Sequence, residues 1–400
     1  MPVVGLALAL VAVACTDASD PGPPGPRPTS ASVSASVSPS PSTSAAPVSL
    51  TVAFLETLDD AETPGRVTPA FQGARLAFSN AQVVAGLPID VEVAAYDTQG
   101  DPARAAEMVA EIAASPEVVA AIGAPGLTDQ AEIGDALAAA GVPWISLSGA
   151  GSGLGDRGWT GWRRLVADQV VQGTALAGVV DSLRPSRQGV CVLGDGTPAA
   201  RSLLGAAVRA LRAEVLLRAS VPEAQPDVAA AADAVAGIGC GVAVWGGGDA
   251  VGAALRRQLV QVGLRRMPFV GSDRIRDPGF LEAVGPAGEG VLAACPCVDV
   301  STSTELAAQR FIQDYQSEFG LPPGPYAVEA WDAARMFVAA FRDGAVTRAS
   351  VSAAVAATDS FDGLAGTYAF APGGDLADPA ASVRISRVEG GRWLEVATTS

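Results

Sequence analysis

Between Leu87 and Ser148 the chain switches between two hydrophobic periods. Ile89–Tyr96 alternates apolar and polar positions and is rich in β-branched residues, which predicts a strand. From Asp101 the period lengthens. Ala105, Met108, Val109 and Ile112 recur at helical spacing, with Asp101 suited to cap the helix and Pro102 to open it. Val118–Ile122 is a short apolar strand ending at Gly123. Thr128–Ala140 is a second helical stretch stopped at Gly141, and Val142–Ser146 is the next strand. Strand, helix, strand, helix, strand at this spacing predicts right-handed crossovers and a parallel sheet. Ligands of such sheets sit beyond the carboxyl ends of the strands, so the loops after Tyr96, Gly123 and Ser146 are the places to look for function.

The same patterning runs on both sides of this stretch. Leu50–Leu55 predicts the first strand, and Thr68–Asn80 a helix with Phe71, Ala74, Arg75 and Phe78 on one face. Trp162–Val166 reads as a strand and Val170–Leu183 as a helix that Pro185 ends. A second series starts at Gln188. Its strands are Gly189–Leu193, Val215–Ala219, Gly241–Trp245, Pro268–Gly271 and Val291–Cys295. Helices at Ala199–Arg212, Pro226–Ala236, Ala250–Gly263 and Pro278–Val284 separate them. Thr304–Phe319, Tyr326–Phe341 and Val351–Ala357 are helical, and the long second one is suited to pack back on the first series. Thr367–Phe370, Val383–Val388 and Trp393–Val396 close the chain as strands. The fold class is α/β, with two doubly wound parallel-sheet units of similar size and no close sequence repeat.

Composition narrows the chemistry. A chain of 400 residues, 49% hydrophobic, is long enough for two lobes with sizeable cores. A net charge of −16 argues against nucleic acid and anionic membrane surfaces as partners. The chain has no histidine, which removes Ser-His and Cys-His catalysis and the commonest metal ligand. It has neither a GxSxG elbow nor a Walker A loop. Gly153-Leu154-Gly155-Asp156-Arg157-Gly158 fits GxGxxG but does not open an obvious helix, so it reads as a flexible connection rather than a nucleotide loop. No cofactor is implied.

The first residues carry a different message. Val3–Val13 is an apolar run of signal-peptide length, and Ala12-Val13-Ala14-Cys15 resembles a bacterial lipobox, in which Cys15 would be acylated. Residues 1–15 are therefore expected to be a signal peptide. Residues 16–48, rich in Pro, Ser, Ala and Gly, are expected to be a disordered tether, since they lack the bulky apolar side chains a core needs.

Over 49–396 the chain resembles the type I periplasmic binding proteins, the group that includes the branched-chain amino-acid receptors of ABC importers. The segments that carry the resemblance are PIDVEVAAYDTQGDPARAA (88–106), 118–123, 142–146 and VCVLGD (190–195). They continue through FVGSDRIRDP (269–278), GLPPGPYAVEAWDAA (320–334) and GLAGTYAFAPGGD (363–375). The resemblance implies two lobes joined by three crossings, near 167–170, 295–299 and 360–364. One lobe is expected from 49–168 with 298–361, the other from 169–297 with 362–400. It also implies a small ligand, an amino acid or related polar compound, held between the lobes by hinge closure and passed to an ABC permease. The expected state is a monomer outside the cytoplasm, held to the membrane by its lipid alone, with no catalytic role. A ligand sensor for a signalling partner, or a cleft enzyme such as an amidase, is the alternative.

The resemblance also implies the site. Thr128 and helix N-terminal amides would hold a ligand carboxylate, though Thr also suits a plain cap. Ser146, Ser148 and Gly149 would add backbone and hydroxyl contacts. Asp273 would pair with a ligand ammonium; Arg274, where the family has Gly, could pair with Asp273 instead. Tyr326 would lie against the ligand, or serve as a core aromatic. Ala150 and Ala199 stand where amino-acid receptors carry Thr and Tyr. Glu56, Asp59 and Asp60 could favour a cationic ligand but read first as solvated. Beyond Cys15 there are four cysteines, Cys191, Cys240, Cys295 and Cys297, which allow three disulfide pairings. The implied topology makes the strands of Cys191 and Cys240 neighbours, which leaves a short Cys295–Cys297 loop; Cys240–Cys295 also stays open. A zinc site is disfavoured without histidine.

Overall fold

The computed structural model describes residues 48–56, 68–84, 89–127, 130–183 and 189–396. Cys15, the leader and the expected tether up to residue 47 lie outside the described residues, as do Asp59, Asp60 and Thr128, whereas Val48, expected in the tether, opens the first strand.

The first lobe is built from β1 (Val48–Glu56), α1 (Pro69–Val84), β2 (Ile89–Asp97), α2 (Pro102–Ala114), β3 (Val118–Gly123), α3 (Gln130–Ala139), β4 (Trp144–Ser146) and β5 (Trp162–Arg164). All five strands are parallel, in the order β2-β1-β3-β4-β5. β3 is buried along its whole length, because helices cover both faces of the sheet. α2 starts as its sequence predicts. Asp101 accepts the backbone N–H groups of Ala103 and Arg104, Pro102 opens the helix, and Ala105, Met108, Val109 and Ile112 are the buried face. Gly153–Gly158 forms a four-residue 3-10 turn over Leu154–Arg157, flanked by glycines at φ 73° and 72°.

The second lobe contains α4 (Gln169–Ser182), β6 (Val190–Gly194), α5 (Pro198–Ala210), β7 (Val215–Ser220), α6 (Val228–Ile238), β8 (Val242–Trp245), α7 (Asp249–Gln261), β9 (Phe269–Ser272), α8 (Pro278–Val284) and β10 (Leu292–Cys295). The chain then returns to the first lobe as α9 (Leu306–Phe319), α10 (Ala327–Arg342), α11 (Arg348–Ala356) and the hairpin β11 (Ser360–Asp362)–β12 (Thr367–Ala369). It ends in the second lobe as β13 (Arg384–Glu389) and β14 (Arg392–Val396). The second sheet has the order β14-β13-β10-β9-β8-β6-β7, parallel except for the antiparallel β13 and β14.

α10 packs back on the first lobe, as its length suggests. Gly73 of α1 meets it so closely that a Cβ there would lie 2.1 Å from the Ala327 carbonyl oxygen. Phe337 and Phe341 enter the core beside Phe78 and β1. The hairpin belongs to the same core. Tyr368 and Leu376 pack there with Phe361 alongside, so the third crossing comes after Leu376 rather than at 360–364, and residues from 362 to 376 lie on the first-lobe side. The hairpin is tied to α10 through Asp332, which accepts the Leu364 and Ala365 N–H groups and the Tyr368 hydroxyl.

The crossings are tied to each other. Arg164 N–H donates to Gly374 O at 2.9 Å, and Ala167 N–H to Ser382 Oγ at 3.0 Å. Arg276 donates to Ser386 Oγ at 3.1 Å and to Asp299 at 2.7 Å, joining the second crossing to β13. Cys191 is bonded to Cys240, Cα–Cα 5.7 Å, and Cys295 to Cys297, Cα–Cα 5.1 Å. The first pair joins β6 to a residue two positions before its neighbour β8; the second lies where β10 leaves the second lobe.

Candidate functional site

Two groups of candidate residues face function from different lobes. On the first lobe, Ser146 ends β4 and the chain turns through Ser148 and Gly149. Both serines are buried, and their hydroxyls are already engaged. Ser146 Oγ donates to Gln130 Oε1 and accepts the Ser148 N–H at 3.1 Å. Ser148 Oγ donates to Leu127 O at 2.8 Å and accepts the Ala150 N–H at 3.2 Å. Gln130, at the start of α3, completes the loop by donating to the Ser148 and Ala150 carbonyls. The serines therefore act first on the loop's own shape, since buried polar groups must find partners. Gly149 sits where the first crossing passes. A Cβ there would lie 2.9 Å from Ala167 O, and Gly149 O accepts the Gln169 N–H at 2.9 Å.

On the second lobe, Asp273 follows β9. Its carboxylate accepts from Gln172 Nε2 at 2.6 Å and from Tyr326 Oη at 2.7 Å. Gln172, on the first turn of α4, also donates to Ala294 O at 2.8 Å. Tyr326 caps α10 and belongs to the first-lobe core, so its bond to Asp273 runs between lobes. Its backbone is left-handed at φ 63°, a costly conformation for an aromatic residue, set by the Gly324-Pro325 approach. Burial, then the Asp273 charge, hold the phenol well above its usual value, so it stays a proton donor. The structure thus brings Asp273 and Tyr326 together. It joins them to Gly149 only through α4, whose Gln169 holds one and whose Gln172 holds the other.

Arg274 does not pair with Asp273. Its guanidinium turns to Asp195 at the end of β6, with Thr197 Oγ1 at 3.4 Å and Glu223 at 3.5 Å. The 3-10 turn at 273–275 aims consecutive side chains in different directions, so adjacency in sequence does not make a pair. Asp195 is thereby neutralised, and Asp273 keeps two neutral donors in place of a cation.

Glu56 corrects a second expectation. It is 3% exposed rather than solvated, because it is the last residue of a central strand. Thr68 Oγ1 donates to it at 3.1 Å, and burial lifts its carboxyl to about 7. Two further carboxyls are buried on α10. Glu329 accepts the Val298 N–H at 2.7 Å, and Asp332 accepts the N–H groups of Leu364 and Ala365 at 2.7 and 2.9 Å. Burial raises Glu329 to about 7 and Asp332 to about 6. Among the described residues no group of three or more Cys, Asp or Glu side chains is placed to hold a metal ion, and no helix is long and apolar enough to cross a membrane.

Gln130 and Gln172 organise the two halves of the site, and sequence reading missed both. A glutamine on the first turn of a helix, just past a strand end, is the signal they shared. It is weak, because exposed glutamines are common there.

A family model of periplasmic binding proteins matches residues 58–392. Among solved structures, the chain is similar to the branched-chain amino acid transporter substrate-binding protein LivJ of Streptococcus pneumoniae, in complex with isoleucine. That match has a TM-score of 0.75 at 18% identity and covers 87% of this chain and 100% of that one. The leucine-binding protein LivK of Thermotoga maritima gives 0.73 at 19% identity, covering 87% and 98%. A solute-binding protein of an ABC transporter from R. palustris, in complex with benzoate, gives 0.70 at 17% identity, covering 87% and 95%. No curated protein matches the chain.

Proposed function

Because the chain belongs to the periplasmic binding protein family, we propose that it is an extracytoplasmic solute-binding protein of an ABC importer. Its ligand is an amino acid or a related small carboxylate. The lobes close on the ligand about the three crossings, and the closed form is presented to the permease. Cys15 is the acylated anchor in this reading, with 16–47 as the tether. The observation that carries the reading is the Tyr326–Asp273 bond, in which a first-lobe helix start meets the carboxyl end of a second-lobe strand.

The proposed roles are these. The Ser146–Gly149 loop, shaped by Gln130, offers backbone groups to the ligand carboxylate, and Thr128 is kept as a candidate from the family resemblance alone. Asp273 accepts the ligand ammonium and gives up the Gln172 bond to do so, while Tyr326 closes one wall. The benzoate-bound neighbour shows that the fold accepts a carboxylate without an ammonium. A thermal-shift screen of L-amino acids against benzoate and small carboxylates separates the two ligand classes. A ligand at a hundredfold excess over its dissociation constant should stabilise the protein by about 2.7 kcal/mol. Asp273→Ala should abolish an amino-acid shift. An amino-acid shift that survives Asp273→Ala refutes that residue's role.

A further inference from the structure

Beside Asp273, one long side chain spans the end of the second lobe that faces the first. The Asp273–Tyr326 bond fixes that orientation, since it joins the carboxyl end of β9 to a first-lobe helix start. Arg274 leaves β9 at this end and runs across the sheet, whose order is β9-β8-β6-β7. Its Nη1 donates to Asp195, just past β6, and lies 3.4 Å from Thr197 Oγ1. Its Nη2 stands 3.5 Å from Glu223, beyond β7. Gly248, after β8, leaves room for both: a Cβ there would lie 3.4 Å from Arg274 Nη2 and would collide with the Glu223 carboxylate. One guanidinium thus reaches groups beyond the ends of β6, β7 and β8, and 29% of the side chain stays exposed.

Charge and hydrogen bonding give different answers at this guanidinium. Its charge is met. The Asp195 side chain is fully buried and both its oxygens are engaged, Oδ1 by the Thr197 N–H at 2.9 Å and hydroxyl at 2.7 Å, Oδ2 by Arg274. Glu223, half exposed, adds a second negative charge without a hydrogen bond to Arg274. Its donors are not met. A guanidinium carries five N–H groups. Nη1 serves Asp195 and Thr197, whereas the Nε–H and the two Nη2–H groups make no hydrogen bond among the described residues. Three donors are left over on a cation that is already balanced.

We propose that Arg274 sets the ligand class of the cleft, which takes an amino acid whose side chain ends in an uncharged acceptor, the carboxamide of glutamine being the fit. This rests on the solute-binding reading, with the ligand ammonium on Asp273. An amide carbonyl accepts from the Nε and Nη2 fork and adds no charge. A carboxylate in its place puts a third negative charge beside Asp195 and Glu223. A branched aliphatic chain closes the lobes over donors that have lost water and gained no partner, and a site built to hydrogen-bond its ligand rejects such an analogue strongly.

Calorimetric titration with L-glutamine, L-glutamate and L-leucine, three side chains of similar size, tests this. Glutamine should bind at least tenfold tighter than either of the others. Arg274→Met keeps a long side chain and removes the donors, so it should cancel the preference for glutamine over leucine. That variant leaves Asp195 buried without its cation. Arg274→Met combined with Asp195→Asn, which keeps the acceptor for Thr197 and carries no charge, removes this burden and should lose the preference equally. The inference is overturned if leucine or glutamate matches glutamine in the wild type, or if the double variant keeps the tenfold preference. It is also overturned if none of the three binds; benzoate binding by the same protein would then show that the solute-binding reading stands without it.

Discussion

Glu329→Gln makes the energetics of the hinge measurable. In the folded chain the Glu329 carboxyl is buried and lifted from 4.5 to about 7, with burial the largest cause. The unfolded chain releases that proton near 4.5. Between these values the folded state holds a proton that the unfolded state has lost, so stability falls as pH rises. The contribution is full below pH 4.5, declines through the interval and levels off above 7. A gap of that size corresponds to about 3 kcal/mol. Glutamine keeps the acceptor for the Val298 N–H and carries no charge. The variant should therefore match the wild type at pH 4.5 and exceed it at pH 8, by about 2–3 kcal/mol. Urea unfolding followed by tryptophan fluorescence at both pH values measures this. Glu56 and Asp332 shift in the same direction, so both proteins keep some slope, and the difference between them reports Glu329 together with its charge coupling to Asp332. A stability difference that is the same at pH 4.5 and pH 8 would refute the reasoning.

Gln130→Ala removes the main acceptor of the Ser146 hydroxyl and the side-chain donor to the Ser148 and Ala150 carbonyls. It should cost about 2–4 kcal/mol in urea unfolding and weaken ligand in the thermal-shift assay; a loss under about 0.5 kcal/mol would show that the loop holds its shape without it. Gly149→Ala places a methyl 2.9 Å from Ala167 O, and the first crossing must move to admit it. The expected loss is about 1–3 kcal/mol with weaker ligand binding; wild-type values for both would remove Gly149 from the site. Cys191 and Cys240 close a chain segment with a sequence separation of 49. Replacing both with alanine should lower stability by up to about 4 kcal/mol on the chain-entropy account, with mass spectrometry of the unreduced parent confirming the pair; an unchanged unfolding midpoint would contradict that account.

Much of the fold was legible because it rests on local rules. The Asp101-Pro102 start, the buried face of α2 and the near-continuous apolar runs of β1 and β3 each follow from period and capping. A parallel sheet with covered faces leaves few alternatives for such runs. The family segments then located Asp273 and Tyr326, which do meet. The site's inner supports were less readable. Nothing near Gln130 or Gln172 in sequence marks their partners, which lie 16 to 20 residues away for one and 101 and 122 for the other. Arg274 misled for the opposite reason: it is adjacent to Asp273, but the turn between them sends their side chains apart.

By itself the sequence determined the α/β class, the order of strands and helices apart from β11, the four-cysteine set of the folded part and the absence of histidine chemistry. These depend on neighbours within one turn or one strand, or on composition. Only the tertiary structure decided that the hairpin at 360–369 packs into the first-lobe core and that Glu56 and Glu329 are buried. Those outcomes depend on how much room remains once distant segments have packed, and no local pattern encodes that room.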